Sequence, residues 1–397
     1  MRLLFVIDYL GAGGAQRQLT SLAVELVRRG HEVDLFVYHD IDHFGDELRA
    51  GGVRIFLHRK RRRYSFSPAR ELRERFREGN YQVALAYLSV PNFYCLVAAA
   101  GLRRRPKIVV SERSFPIGGI VGFKKGLLER CYPFADHITT NAHHMREHYR
   151  RRYGWGDDRV TTIWNGLDLE KFSAPPLVRA PGEPLKLLCI GRVDRNKAWH
   201  LIAEAAGLLK ERHGTRFRVS VVGSNKPVLA DEFKYREELQ AALKRHGLED
   251  SWEFLGARSD IPALFAAHHS LVHPSIVEGL SNVVCESLAC GRPVIAADAF
   301  DHRQLIQNGE TGWLFAPSNV ESLADALYRL DRTPPEQLAA MGANARKFAE
   351  QHLTVARLAD EYEALFERLL SGGPTGAKRD SSPPRESAAV AEAPHDA

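Results

Sequence analysis

Two acids stand eight positions apart in the stretch "VEGLSNVVCESLACGRPVIAADA", Val277–Ala299: Glu278 and Glu286. Carboxylates are costly in such apolar company unless a partner answers their charge or their lone pairs. Pro274-Ser275 ends a strand pattern, Glu278-Gly279-Leu280 reads as a loop, and Ser281 or Asn282 can cap a helix reaching about Cys290, with Gly291 as its stop. Glu278 thus precedes the helix and Glu286 lies about one turn inside it. The free N–H groups of a helix start carry partial positive charge and suit a phosphate. Carboxylates beside such a start can accept hydrogen bonds from hydroxyls. The plainer alternative is two solvated glutamates flanking a core helix.

Two more loops carry suitable chemistry. In "IGRVDRNKAW", Arg192 and Lys197 leave a strand end where a helix begins. One offers a planar fork of donors and the other a compact charge, both matched to phosphate oxygens. In "DYLGAGGAQRQ", Gly11, Gly13 and Gly14 let the backbone approach a ligand just before a helix start. It is not a dinucleotide fingerprint, because G-x-G-x-x-G would need glycine at position 16 and finds Gln16. Two hydroxyl acceptors, an anion-binding helix start, an arginine and a lysine describe a phosphorylated, polyhydroxylated ligand: a nucleotide sugar. No D-x-D triplet reads as a metal site, and "AHHSLVH" (Ala267–His273) reads as structural, so no metal site is expected.

Those loops need elements to hold them. Apolar strand patterns ("RLLFVID", "EVDLFVY", "VRIFLH", "QVALAYL", "KIVVSE", "HITTN", "VTTIWNG") alternate with helical periodicity, beginning with an amphipathic helix over Ala15–Arg29. Strands separated by helices require crossover connections, hence a parallel sheet covered on both faces. The Pro-rich "SAPPLVRAPGEP" breaks the rhythm, which restarts with "LKLLCIG", "FRVSVVG", "WEFLG", "HSLVHPS", "PVIAAD" and "TGWLFAP". This predicts an α/β chain with one domain over 1–172, a linker over 173–184 and a second domain over 185–352. A last helix is expected over 353–371, then a disordered tail over 372–397, rich in Pro, Ser, Gly and Ala. Parallel sheets bind ligands at the carboxyl ends of their strands, so two such domains make a cleft edged by the loops above.

Composition narrows the class. The 397 residues, 44% hydrophobic and 26% charged, suit a soluble protein of two domains. The first apolar run is too short for a membrane span, and nothing in the opening residues reads as a secretory leader. Five scattered cysteines without a C-x-x-C pair suggest reduced thiols in a cytoplasm. Residues 1–175 hold 29 Lys and Arg against 19 Asp and Glu, a net of +10, while the remainder nets −4. A basic first half suggests an anionic partner. Without an RNA-binding aromatic pattern or helix-turn-helix signature, nucleic acid is not expected, which leaves an anionic membrane surface. "FPIGGIVGFKKGLL" (Phe115–Leu128) is the segment expected to rest there, on the inner face of a plasma membrane.

E-G-L-S-N-V-V-C-E, followed by G-R-P-V-I-A and N-G-E-T-G-W-L, resembles the retaining glycosyltransferases of family 4. Supporting motifs are G-x-G-G near the start, N-G-L-D at Asn165–Asp168 and G-R-x-x-x-x-K at Gly191–Lys197. The resemblance reaches to about Leu370 and implies the GT-B fold: two Rossmann-like, doubly wound domains facing across a cleft, with the last helix crossing back to the first. It also implies that Glu286 holds the nucleotide ribose, Glu278 a donor-sugar hydroxyl, and Arg192 and Lys197 the diphosphate. Gly279, Leu280, Ser281 and Asn282 would complete that grip, with Gly13 and Gly14 near the donor phosphate and acceptor. Arg258, after the strand "WEFLG", is a further donor-binding candidate. Arg192, Lys197 and Glu278 are the expected catalytic residues.

The implied activity is hexosyl transfer, with retention and without metal, from a nucleotide sugar (a UDP-sugar favoured) to a glycan or lipid-linked acceptor of cell-surface polysaccharide or lipopolysaccharide synthesis. Such an enzyme would use the nucleotide sugar as co-substrate and need no cofactor. Departures from the family pattern are Glu112 and Arg113, where many members carry histidine and which become candidate acceptor or sugar contacts, and Ala198 in place of the usual glycine. The competing readings are a nucleotide-sugar hydrolase or epimerase, which needs an acid–base pair at the anomeric carbon, and a non-enzymatic basic binder.

Overall fold

A computed structural model describes residues 1–62, 65–113, 119–223 and 230–372. Its first sheet contains β1 (Arg2–Val6), β2 (Glu32–Val37), β3 (Arg54–Leu57), β4 (Val83–Tyr87), β5 (Lys107–Glu112), β6 (His137–Thr140) and β7 (Val160–Thr162). Its second contains β8 (Leu185–Ile190), β9 (Phe217–Val222), β10 (Trp252–Gly256), β11 (Ser270–His273), β12 (Val294–Ala297) and β13 (Gly312–Phe315). Every pairing is parallel, in the orders β3-β2-β1-β4-β5-β6-β7 and β10-β9-β8-β11-β12-β13.

The apolar strand runs have a simple cause: each sheet is buried on both faces. Leu3 and Phe5 of β1 enter one core cluster, while Leu4 and Val6 enter the cluster on the opposite face. In β8, Leu185, Leu187 and Cys189 join one cluster and Leu188 another. Strand order reverses between β1 and β4 in the first sheet, and between β8 and β11 in the second. At such a switch point adjacent crossovers leave in opposite directions, and the gap between them at the carboxyl edge is a natural ligand crevice.

The last helix, Val355–Ser371, lies on the first domain. Leu358, Tyr362, Leu365 and Phe366 are buried in the same cluster as Leu3, Phe5 and Leu22. The turn "NGL" before the linker is pinned at this crossing, where Leu167 N–H donates to Leu353 O at 2.7 Å. A side chain at Gly166 would place its Cβ 2.9 Å from Val355 Cα, so only glycine lets the helix pass so closely. The tail expected over 372–397 falls, from residue 373 onward, outside the described residues.

Candidate functional site

The loops after β8 and β11 meet at the second sheet's switch point. Between Arg195 and Lys197 the chain makes one tight turn, with Asp194 accepting the Lys197 N–H at 3.1 Å. Ala198 then takes a left-handed conformation at φ 53°, ψ 38°, a region that favours glycine, before the helix Trp199–His213 begins. This twist sends the Lys197 side chain across to the β11 loop, where its ammonium pairs with Glu278 Oε1.

Glu278 Oε1 also accepts from Ser275 Oγ at 2.7 Å and lies 3.2 Å from His273 Nε2. All three partners converge on one oxygen, which leaves Oε2 to accept from a ligand hydroxyl. Burial works to raise this carboxyl, but His273 and Lys197 outweigh it and hold the group well below the usual carboxylate range. Burial also lowers His273, while its bond to Glu278 works against that drop.

The helix Asn282–Ala289 begins directly after this loop, with Ser281 at its cap position. Neither expected cap is made. The Ser281 hydroxyl turns to His273 Nε2 at 3.1 Å, and Asn282 accepts from Asn165 Nδ2 at 2.7 Å. With no side-chain cap, the first-turn N–H groups remain open to an anion. The Gly13–Gly14 turn after β1 faces this helix start from the other domain. A Cβ on Gly14 would sit 2.3 Å from Asn282 Nδ2, so a side chain there would displace the Asn282 amide. Gly279 packs as tightly, 2.9 Å from the Arg113 carbonyl by the same measure.

Glu286 sits on the second turn with its side chain only 6% exposed, and pairs through Oε1 with Arg17 of the first helix, Gly14–Arg28. Burial raises the Glu286 carboxyl and Arg17 works against that rise. Arg192 is largely exposed at the cleft rim, 3.1 Å from Asp194. Arg258 stands after β10, at the far end of the same sheet edge, and pairs with Asp260 at 2.6 Å. Among the described residues no ion pair links it to Glu278 or Glu286; two strand spacings of about 4.8 Å separate β10 from β8.

Glu112 departs from its expected role. Its side chain is fully buried in the first domain, bonded to Tyr132 Oη and paired with Lys125 at 2.8 Å, so it offers no exposed atom to an acceptor. The reason is that the Gly119–Glu129 helix brings Lys125 over the strand end, answering the charge from inside. Arg113 is also engaged, donating to Asn165 Oδ1 at 2.9 Å and to Tyr362 Oη at 2.8 Å. It joins the cleft floor to the last helix. Among the described residues, no group of three or more His, Cys, Asp or Glu is arranged to hold a metal ion.

A second contact seals the domains together. Asp301, after β12, accepts the backbone N–H of His143 at 2.7 and 2.8 Å, and Trp164 Nε1–H at 3.2 Å. The ring nitrogens of His143 and His144 approach it at 2.9 and 3.1 Å. The second domain thereby caps the first-domain helix His143–Tyr153, whose own cap residue, Ala142, has no side-chain acceptor.

Residues 12–171 match the family model described as Glycosyltransferase Family 4, and residues 175–348 match that of Glycosyl transferases group 1. This chain belongs to glycosyltransferase family 4. Among curated relatives of this family 4 chain is the lipopolysaccharide core biosynthesis mannosyltransferase LpcC of Rhizobium leguminosarum. It is 32% identical over 218 residues, covering 53% of this chain and 60% of LpcC. A Campylobacter jejuni N-acetylgalactosaminyltransferase, whose name specifies an undecaprenyl diphosphate-linked acceptor, is 26% identical over 82% of this chain and 88% of its own. The chain spans 53 to 60% of the length of the first curated relatives it matches. Solved structures share the fold: Anabaena HepE bound to UDP has a TM-score of 0.75 at 20% identity, covering 92% of this chain and all of HepE. A Rickettsia africae glycosyltransferase reaches a TM-score of 0.77 at 17% identity, over 94% and 99% of the two chains. The two parallel-sheet domains are therefore those of a GT-B fold.

Three residues of the family 4 cleft escape a reading by motif. Arg17 looks like one polar residue of an amphipathic helix, and its partner lies 269 positions away. His273 falls in "AHHSLVH", taken above as structural, yet it touches Glu278. The usable signal was its place as the last residue of a strand at the switch point. Asp301 carries no motif.

Proposed function

We propose that this chain transfers a hexosyl group from a nucleotide sugar, a UDP-sugar favoured, to a lipid-linked glycan in cell-surface polysaccharide or lipopolysaccharide synthesis. The observation that carries this reading is the arrangement at the β8/β11 switch point. Lys197 pairs with Glu278, an uncapped helix start separates Glu278 from Glu286, Arg192 stands at the rim of the same β8 loop, and the Gly13–Gly14 turn faces the helix start from the other domain. The names of the Campylobacter jejuni relative and of the HepE complex support a lipid-linked acceptor and a uridine nucleotide.

The chemistry follows from charge. The bond from the anomeric carbon to the diphosphate oxygen breaks, and the electron pair leaves with the nucleoside diphosphate. The acceptor oxygen bonds to the same face of that carbon, and its proton passes to the departing phosphate oxygen, so configuration is retained. Lys197, Arg192 and the helix N–H groups meet the growing phosphate charge as preorganised donors, the role a metal would otherwise fill. Glu278 orients the sugar through Oε2 and Glu286 the ribose. They do not act as a glycosidase pair, which would need both carboxyls at the anomeric carbon, whereas Glu278 is assigned to the sugar and Glu286 to the ribose.

Among the described residues no helix is long and apolar enough to cross a membrane. A place on the inner face of the plasma membrane is proposed through the basic first domain, where Phe123 and Leu127 are exposed beside Lys124. Lys125 faces inward to Glu112, so Lys124→Glu with Phe123→Ser is the informative change, and unchanged binding to anionic vesicles would refute this surface. Residues 115–118 of the segment expected to bind lie outside the described residues.

Thermal shift against UDP-, GDP- and ADP-sugars tests the donor, with Glu286→Ala as control. Stabilisation by none of them would refute the reading. Transfer to an undecaprenyl diphosphate-linked glycan, read by mass and by the anomeric proton coupling of the product, tests acceptor and retention. Activity that survives chelator treatment tests metal independence.

A further inference from the structure

The donor's diphosphate needs more positive charge than the second domain leaves free. Lys197 is already paired with Glu278, and Arg192 lies at the exposed rim beside Asp194. Among the described residues a further cation at this face comes from the other domain. Arg17 stands one turn beyond Gly14 on the first helix and reaches across the cleft to Glu286. Its guanidinium carbon lies 5.3 Å from the centre of the Phe172 ring, which limits its swing.

Two features separate Arg17 from a simple structural ion pair. Its Nη2 alone is bonded to Glu286, while its Nε–H is buried with no hydrogen-bond partner. An arginine fork has five N–H donors in one plane, so one edge is spent and another is left unanswered. Other arginines, Arg113 and Arg357 among them, share an unpartnered Nε–H, so what marks Arg17 is that its unspent donor edge lies at the domain boundary beside Glu286. The second feature is position. If Glu286 holds the ribose while Lys197 and the helix start hold the diphosphate, the phosphate adjoining the ribose lies between them. Arg17, paired with Glu286, stands at the ribose end of that interval and is 28% exposed.

We propose that Arg17 is a donor-site residue supplied by the first domain. It aims the Glu286 carboxylate at the ribose and donates its free N–H groups to the adjoining phosphate. The diphosphate is then gripped from both sides, and full compensation of the leaving group's charge requires a closed cleft. This inference rests on the nucleotide-sugar reading above.

The test compares ligands that differ only in their phosphates. Wild type, Arg17→Met, Arg17→Lys and Glu286→Gln of the full chain are measured against UDP, GDP and ADP by calorimetry, and against the matching nucleosides by ligand-detected NMR. Arg17→Met should weaken the nucleoside diphosphate by about ten- to hundredfold, in line with loss of a charge-assisted hydrogen bond. The nucleoside should change less than about threefold, Arg17→Lys should recover part of the loss, and Glu286→Gln should weaken both ligands. Equal losses for diphosphate and nucleoside in Arg17→Met would overturn the proposal, because Arg17 would then act through Glu286 alone. No loss in either would overturn it too. If wild type binds none of the three diphosphates, the donor reading itself fails and takes this inference with it. Thermal melting of each variant without ligand shows whether the fold is kept, and Arg17→Lys preserves the charge if Arg17→Met does not fold.

Discussion

Asp301→Ala should loosen the two domains more than any single apolar truncation at their boundary. The carboxylate accepts two contacts from the His143 N–H, one from Trp164 Nε1–H, and two from imidazole nitrogens. It is 1% exposed, so water cannot readily replace it. Losing an N-terminal cap costs about 0.5–2 kcal/mol, and each buried donor left without an acceptor costs about 1–3 kcal/mol. Allowing for relaxation and for water entering the gap, the total is about 2–4 kcal/mol. For domains of this size about 1 kcal/mol moves Tm by about 2–4 °C, so the melting point should fall by roughly 5–15 °C. Asp301→Asn keeps one acceptor oxygen without the charge and should fall about half as far.

The pH dependence has a definite sign. Burial acts to raise the Asp301 carboxyl, but the bonds from His143 and His144 prevail and hold it well below the ordinary aspartate range. A depressed folded-state pKa gives stability that is complete above the unfolded value, about 3.9, and is lost as pH falls toward the folded value. The carboxylate's own contribution to the gap between wild type and Asp301→Ala should therefore be complete by about pH 5, roughly one unit above that value, and shrink in stronger acid. Repeating the series in a His143→Gln, His144→Gln background separates the carboxylate from the imidazoles that share it. Calorimetry gives the Tm, and small-angle scattering without nucleotide reports cleft opening. A variant that melts within about 1 °C of wild type, with an unchanged radius of gyration, would refute the latch.

Ala198→Gly should stabilise the second domain by about 0.5–1 kcal/mol in urea unfolding, because glycine relieves the left-handed backbone that alanine bears at φ 53°. Lys125→Met leaves Glu112 and Glu129 buried near each other without their shared cation, and should cost about 3–5 kcal/mol in the same assay. Nucleotide affinity should decline as pH falls through the Glu286 pKa, which burial lifts above the usual carboxylate value, since the ionised form is the hydroxyl acceptor. The pH profile measured by calorimetry should lose that acid limb in Glu286→Gln.

What could be read from the chain without coordinates follows the range of the forces involved. Each strand shows as an apolar run because its neighbours bury both faces, and the apolar content of β1 or β8 is a local property of a few residues. Glu278, Glu286, Arg192 and Lys197 were legible for a related reason. Each stands at a fixed offset from a strand end or a helix start, and the backbone there dictates which way a loop can turn. Side chains that answer one another across the cleft obey no such offset. Glu112 at the end of β5 looks like a polar residue entering a loop until Lys125 folds back over it. Arg17 looks like a solvated helix residue until the second domain brings Glu286 to it. Asp301 has no local motif at all, yet it completes a helix start 158 positions earlier. These residues set how firmly the domains close. If the ligand is held from both sides, as proposed, closure decides how much of the available charge reaches the leaving group. The least legible residues should therefore govern rate and affinity together, while the motif residues govern which ligand is chosen.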